Sequence, residues 1–586
     1  MNPLIGTYQP YTLAVSLPHH QSNPKSIMDP VWIVLWSALL SLTWLVKPHI
    51  LPWPSFLADA WIALITLMGA CAVVVRTRSS MACYPITCLA AFLVVLPWLQ
   101  FTAGLLPYAG QAWISSSYLF GFLLALLVGT HWEQTVPRQL AHALFGAICV
   151  AGVASVALQL SSWLGLNESG GLGAWAAVPV GNRPSANLGQ PNQLATLLVW
   201  SVLGCLWGYT QKKLGGLSAS VVASFLLLGL AMTQSRAGML AISCVLLAVW
   251  GWKRVWASHR LPWAATGLYL LFVAFLIVLP WVNKALLLSE NSFLYRHHDS
   301  ADRLQWKLFM HAIFERRAFG YGWTEVGAAQ LTVAEQFPAL GSLFAESHNF
   351  FIDLFLWCGI PTALLVVVTL LHWLWSVFRA VCHAEDVILF MLVVVVSIHA
   401  LVEYPLKYAY FLLPVGLVMG ILSTRLRKPI LWWAPKLVMA GLVMAGSLAL
   451  AVTVRDYARI EDSYRNFRLD KSILGQGREP MGHPPDVLAL THMREWIRWD
   501  NYTPHKGMDK RELNELETAT YAFPSPYLAY RLAKALALNS EPEKASLWLI
   551  RICKFAPEEE RLLLKKSWEA EGRKNVSMAS IVWPQH

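Results

Sequence analysis

Charge is what this sequence has least of. Asp, Glu, Lys and Arg make up 13% of its 586 residues, against roughly 25% in an ordinary soluble domain. Hydrophobic residues reach 56% and the mean hydropathy is +0.48, which excludes a typical soluble globular enzyme. No CxxC pair is present, so none of the nine cysteines suggests a zinc site or a redox pair. Eight of them lie in or beside apolar stretches and only Cys553 falls in the polar tail, as expected of packing residues. Dinucleotide GxGxxG, P-loop and HExxH motifs are missing too. The net charge of +11 comes without any long basic tract interleaved with aromatics, so nucleic acid is not the expected partner. Low-complexity segments are absent, and the apolar part shows no clear duplication of the kind built into many transporters.

What fills the sequence instead is apolar blocks of about 17 to 25 residues, the length that crosses a hydrocarbon core. About thirteen candidate spans run near 30–46, 57–75, 83–106, 114–130, 139–160, 190–209, 217–234, 237–252, 263–282, 349–371, 386–402, 406–424 and 431–453. Lipid offers no partner to backbone N–H and C=O groups, so each must be a helix. The fold class expected is therefore an all-α polytopic membrane protein. The first block lacks a clear small-residue cleavage site and reads as an uncleaved anchor after a cytoplasmic segment 1–29.

Alternate loops then separate by charge. One set holds Arg76, Arg78, Arg138, Lys212, Lys213, Lys253, Arg254, Arg260, Arg379, Arg425, Arg427, Lys428 and Lys436. The short loops of the other set carry little beyond Lys47, Arg183, Arg236 and Lys407. By the positive-inside rule the N-terminus is cytoplasmic. An odd number of spans then exports the long loop 283–348 and a helical domain 455–586, leaving 30–454 as the membrane domain. The tail is expected to form amphipathic helices at 487–498, 509–521, 526–538, 542–555 and 557–572, with a helical-hairpin look around Tyr527–Leu538.

Polar residues at the exported ends of spans are the candidates for chemistry, because charge beside lipid is costly. Arg236, in the Thr233-Gln234-Ser235-Arg236-Ala237-Gly238 break, is either an interfacial arginine or a diphosphate clamp whose planar fork matches phosphate oxygens. Arg303, in the long loop, is its candidate partner. His348, in Glu346-Ser347-His348-Asn349, is either a cap or a neutral base for a hydroxyl nucleophile, with Asn349 and Asp353 available to orient it. Gln190 and Asn192, in Gly189-Gln190-Pro191-Asn192, open another span and could hold sugar hydroxyls. In the His399-Ala400-Leu401-Val402-Glu403-Tyr404-Pro405 hairpin, Glu403 needs a partner, with Lys407 four residues on or an arginine as the expectation. His297, His298, Asp299 and Asp302 look like a metal cluster on paper, but adjacent side chains rarely converge; no metal or other cofactor is expected.

These motifs, in this order from about residue 160 to the tail, resemble the bacterial O-linked protein-glycosylation ligases of the O-antigen ligase and polymerase superfamily. Ser235-Arg236 and His348-Asn349 resemble marks of the whole superfamily. Gly189-Gln190-Pro191-Asn192, Glu403-Tyr404-Pro405 and the helical tail resemble the protein-ligase branch. The loop's Arg317-Ala318-Phe319-Gly320-Tyr321-Gly322 departs from relatives that place a proline before the Gly-x-Gly. The resemblance implies an inner-membrane glycosyltransferase with its site facing the periplasm. Its donor would be an undecaprenyl-diphosphate-linked oligosaccharide, and its acceptor a serine or threonine of an exported protein such as a pilin. His348 would be catalytic, Arg236 and Arg303 diphosphate-binding, and Gln190 and Tyr404 critical to activity. An O-antigen ligase or polymerase acting on a sugar hydroxyl is the alternative, and a lipid-oligosaccharide flippase a distant one.

Overall fold

The computed structural model describes residues 29–46, 51–76, 80–166, 175, 183–286, 300–426, 431–471 and 483–584. Every one of the thirteen expected spans coincides with a helix, from Pro30–Ser41 to Lys436–Lys471. Among the described residues, nine helices are long and apolar enough to cross a membrane, and Pro30–Trp44, Arg236–Gly251 and Ala409–Ser423 are shorter apolar ones. The protein is an all-α polytopic membrane protein. The strand content of the described residues is one small antiparallel pair, Met81–Cys83 with Trp432–Ala434, in the register Met81 to Ala434. It joins two loops at the basic end of the bundle, a contact between distant segments that alternation in three residues cannot reveal.

Helix Ala109–Thr135 is the spine, packed by Pro85–Thr102 on one side and Ala409–Ser423 on the other. Lipid supplies little hydrophobic drive between helices, so close approach depends on small residues. Gly129 and Gly420 provide it here. A Cβ on Gly129 would collide with the Leu417 carbonyl, and one on Gly420 with the Leu126 carbonyl. The Thr130 hydroxyl donates across the same seam to the Gly420 carbonyl at 3.2 Å.

The long loop is built, not slack. Helix Ser300–Glu315 buries Leu308, Phe309, Ala312 and Ile313 against the segment that follows and against helix Phe350–Ala380. That last helix is broken at Gly359, which sits at φ 72° and ψ 172°, a region open essentially to glycine. The break exposes backbone groups that the loop takes up: Tyr321 N–H donates to the Leu356 carbonyl at 2.7 Å, and Ile360 N–H to the Arg317 carbonyl at 2.8 Å. Gln100 completes the joint, donating to the Trp357 carbonyl at 2.8 Å and accepting from Trp323 N–H at 2.9 Å. The Arg317–Gly322 stretch is therefore the seat of the loop on the membrane helices.

The tail helices lie within a few residues of their expected limits: Thr491–Asp500, Lys510–Ala522, Pro526–Leu538, Pro542–Phe555 and Glu558–Gly572. Their core of Leu532, Trp548, Ile552 and Phe555 also takes in Leu331 from the loop helix Val326–Val333. Arg551 pairs with Glu335 at 2.8 Å, and Lys554 offers its carbonyl to Leu340 N–H, also at 2.8 Å. Tyr108 stacks on Phe523 with centroids 5.4 Å apart. The tail thus clamps the long loop onto the start of helix Ala109–Thr135.

Two buried titratable groups lie in that clamp. Glu325 accepts from Gln111 Nε2 at 2.6 Å, and burial pushes its carboxyl up to about 8. His492, packed on Gly110, has no partner for Nδ1, and burial pulls its imidazole down to about 4. A raised carboxyl binds its proton more tightly in the folded state, so Glu325 contributes stability that falls as pH rises from about 4.5 to about 8. A depressed imidazole does the reverse, so His492 contributes stability that falls as pH drops from about 6.5 to about 4. Above about pH 6.5 the His492 contribution is complete, while the Glu325 contribution goes on falling up to about pH 8. Thermal unfolding of the detergent-solubilised protein should show a midpoint falling over that interval, and Glu325→Gln should flatten it. Gly359→Ala should lower the midpoint and open residues 317–322 to protease, because a Cβ there would meet the Ala318 backbone.

Candidate active site

Three helices begin at one end of the bundle, each with a polar side chain at its first turn. Gln190 caps Pro191–Thr210, its Oε1 accepting from Gln193 N–H at 3.0 Å, with Pro191 at the first position where no N–H is needed. Ser235 caps Arg236–Gly251, accepting from Gly238 N–H at 3.1 Å. Asn349 caps Phe350–Ala380, accepting from Phe351 and Ile352 N–H at 3.0 and 3.3 Å. The 401–408 hairpin reaches the same end between Ala384–Ala400 and Ala409–Ser423.

His348 stands at φ 61°, a left-handed conformation uncommon for a residue with a side chain. Its neighbours hold it there. Ser347 N–H donates to buried Asp353 Oδ1 at 2.8 Å, and the Ser347 carbonyl accepts from Gln305 Nε2 at 3.4 Å. This turn aims the half-exposed imidazole at the hairpin, with Nε2 at 3.8 Å from Glu403 Oε2 and its ring 5.4 Å from that of Tyr404. Glu403 Oε1 accepts from Asn192 Nδ2 at 3.1 Å. Burial pushes the Glu403 carboxyl up, while His348, Asn192, Arg183 and Gln190 pull it back towards the charged form. Asn349 Nδ2 donates to the Leu401 carbonyl at 3.1 Å, tying the His348 turn to the hairpin directly.

His348, Asn349, Asn192 and Gln190, from helix starts, therefore meet Glu403 and Tyr404 of the hairpin. Other candidates land elsewhere. His399 is buried one turn beneath Glu403, its carbonyl accepting from Glu403 N–H at 3.0 Å and its Nδ1 at 2.8 Å from Thr196 Oγ1. It braces the hairpin between two helices. Lys407 is not the partner of Glu403: it pairs with buried Glu346 and lies over the Tyr404 ring. The hairpin has no α-helical turn at 403–407, only a 3-10 turn at Pro405–Lys407, so i, i+4 spacing does not bring those two together; Asn192 and His348 take Lys407's expected place. Arg236 is exposed at the first position of its helix, at this same end. Arg303 falls in the first turn of Ser300–Glu315, two residues before Gln305, with its side chain outside the described ones. His297, His298 and Asp299 also lie outside the described residues.

Arg183 is the site residue that loop-charge reasoning passed over. Its Nη1 donates to the Thr233 carbonyl at 3.4 Å, beside the Arg236 turn, and its charge acts on Glu403. The only sequence sign was its position a few residues before Gln190 in the cation-poor set of loops.

Known proteins match in the same places. A family model described as protein glycosylation ligase covers residues 184–207, with Gln190 and Asn192. One described as O-antigen ligase covers 219–367, with Arg236, Arg303 and His348. A third, virulence factor membrane-bound polymerase, C-terminal, covers 387–568, with Glu403 and Tyr404. The general O-oligosaccharyltransferase of Acinetobacter baylyi is 26% identical over 546 residues, 90% of this chain and 92% of that protein. The ComP-specific O-oligosaccharyltransferase of the same organism is 26% identical over 384 residues, 63% of this chain and 67% of that protein. The chain is a multi-pass membrane glycosyltransferase. Within that class its matches make it similar to the O-oligosaccharyltransferases of the O-antigen ligase superfamily.

The two acid pairs at this end separate structure from chemistry. Lys407→Met leaves Glu346 buried without its cation and should lower stability by roughly 1–3 kcal/mol, less than a fully buried pair because Lys407 keeps contact with water. Glu403→Gln retains the acceptor for Asn192 and should leave the unfolding midpoint nearly unchanged while lowering turnover. Thermal melts paired with a transfer assay distinguish the two.

Proposed function

We propose that the protein moves an oligosaccharide en bloc from undecaprenyl diphosphate to a serine or threonine of an exported protein such as a pilin, at the periplasmic face of the inner membrane. The observation that carries this reading is the convergence of His348, Glu403 and Asn192 from three separate elements at one polar end of the bundle. The basic loops gather at the other end, which supports a cytoplasmic N-terminus and a periplasmic site.

In this reading the acceptor hydroxyl approaches His348, which takes its proton as the oxygen attacks the anomeric carbon. The bond from that carbon to the diphosphate oxygen breaks on the opposite face, so the configuration inverts and the diphosphate stays on its lipid. Glu403, 3.8 Å from the imidazole, stabilises the imidazolium that forms. Arg236 and Arg303 neutralise the departing diphosphate, and Arg183 adds charge from beside the Arg236 turn. Gln190, Asn192 and Tyr404 line the sugar side. The reaction as drawn uses side-chain cations for the leaving group and calls on no metal.

The likeness to the general and the ComP-specific O-oligosaccharyltransferases supports a protein acceptor. The O-antigen ligase and polymerase matches support a second reading, in which the acceptor is a sugar hydroxyl. Intact-mass spectrometry of exported proteins from cells carrying the wild-type chain should show a hexose-containing increment on serine or threonine. His348→Ala should lower its rate of formation by roughly 10²- to 10⁴-fold at equal membrane abundance, and Arg236→Ala should also reduce it. Altered surface polysaccharide with no protein increment would select the second reading. Full transfer by both variants would remove His348 and Arg236 from the mechanism.

A further inference from the structure

A second site lies at the opposite end of the bundle, away from His348. Helices Pro191–Thr210, Gly216–Thr233, Arg236–Gly251 and Leu261–Ala285 enclose an apolar slot of about 250 Å³. Its walls include Val202, Ala219, Leu227, Val245, Ala264 and Leu268, and its rim holds Tyr209 and Arg260. At the deep end the Tyr269 hydroxyl is already engaged by Ser243 Oγ at 2.8 Å, so the interior offers little to a polar guest. Helix Leu261–Ala285 covers the slot loosely. Of its own residues only Pro262, Phe272 and Leu279 are buried.

The rim is cationic to an unusual degree. Lys212 and Lys213 on one loop, and Lys253, Arg254 and Arg260 on the other, are exposed or at the surface. No Asp or Glu occurs in the sequence between Glu168 and Glu290. Acids that reach this end from elsewhere are already paired: Glu385 with Arg138 at 2.8 Å and Gln211 at 2.9 Å, and Glu133 and Asp386 with Arg425 at 2.6 and 3.1 Å. Two long helices, Gly216–Thr233 and Leu261–Ala285, also point their positive N-terminal ends at this rim. Trp250, Trp252 and Trp263 ring the same level, with Trp250 and Trp263 centroids 5.1 Å apart and Trp263 exposed, as at a headgroup boundary.

An apolar slot three turns deep, opening at headgroup level beneath five cations and no free carboxylate, fits one kind of ligand. The geometry points to a bound anionic phospholipid, one acyl chain in the slot and its phosphate on Arg260 and the neighbouring lysines. The positive-inside rule accounts for the cations but not for the cavity beside them. A sealed bundle would have filled that space with side chains. The lipid acts as a wedge that fastens the outlying helix Leu261–Ala285 to the bundle, and this role is independent of the acceptor the enzyme uses.

The test is native mass spectrometry of the purified full-length protein, delipidated and then offered phosphatidylglycerol or phosphatidylcholine of the same chain length. One phosphatidylglycerol should be retained where phosphatidylcholine is shed. Arg260→Gln should reduce retention roughly fivefold, the contribution of about one interfacial cation. Ala264→Trp, which fills the slot, should abolish it; if that variant fails to fold, Arg260→Gln combined with Lys253→Gln decides alone. Equal retention of both lipids, undiminished retention by the folded variants, or displacement of phosphatidylglycerol by an equimolar polyprenyl phosphate would overturn the assignment.

Discussion

The polar end of this bundle is held by hydrogen bonds to one short hairpin, residues 401–408. Asn349 donates to its Leu401 carbonyl and Asn192 to its Glu403 carboxyl. Lys407 pairs with Glu346. Asp59, from helix Phe56–Arg76, accepts from Ala409 N–H at 2.8 Å where the hairpin returns to helix. Three separate segments, the 346–349 turn, the start of helix Pro191–Thr210 and helix Phe56–Arg76, are thus fixed to one another through a hairpin that cannot shift without stranding buried polar groups. His348 inherits its aim from that arrangement, since its left-handed backbone is stable only while Asp353, Gln305 and Asn349 hold both sides of the turn.

The long loop extends the same logic away from the bundle. Gly359 breaks a helix and the Arg317–Gly322 stretch fills the break, so the loop is anchored by backbone hydrogen bonds rather than by side-chain packing alone. The tail then closes over it through Arg551, Lys554 and Leu331. Arg303 sits on the loop helix whose Gln305 contacts the His348 turn. The tail, the loop and the His348 turn are therefore one mechanical chain, and a tail that presented an acceptor would do so against a loop already seated at the site.

Helix placement was legible in the sequence because the membrane makes a single demand, a long apolar run, and thirteen such runs became thirteen helices. The site was legible to the extent that its residues open helices: Gln190, Asn192, His348 and Asn349 announce themselves beside Pro and Phe at the start of apolar runs. Pairings were not. Asn192 and Glu403 lie far apart in the chain, and Lys407, near Glu403 in sequence, serves Glu346 instead. Arg183 looked like one loop charge among several, because its meaning comes from the Thr233 carbonyl and Glu403 that folding brings beside it. The broken helix at Gly359 was hidden for a related reason. A glycine and a proline inside an apolar run read as ordinary membrane helix until the loop that pairs with the break is in view.

In the proposed reaction the His348 imidazole, backed by Glu403, removes the proton of the attacking hydroxyl. Imidazole rescue tests it most directly: transfer from a lipid-diphosphate-linked glycan to an acceptor peptide by purified His348→Ala, with and without added imidazole. Transfer should be negligible without imidazole and should climb with the concentration of its neutral form, giving the inverted product. Transfer at the wild-type rate without imidazole, or a rescued product of retained configuration, would contradict it.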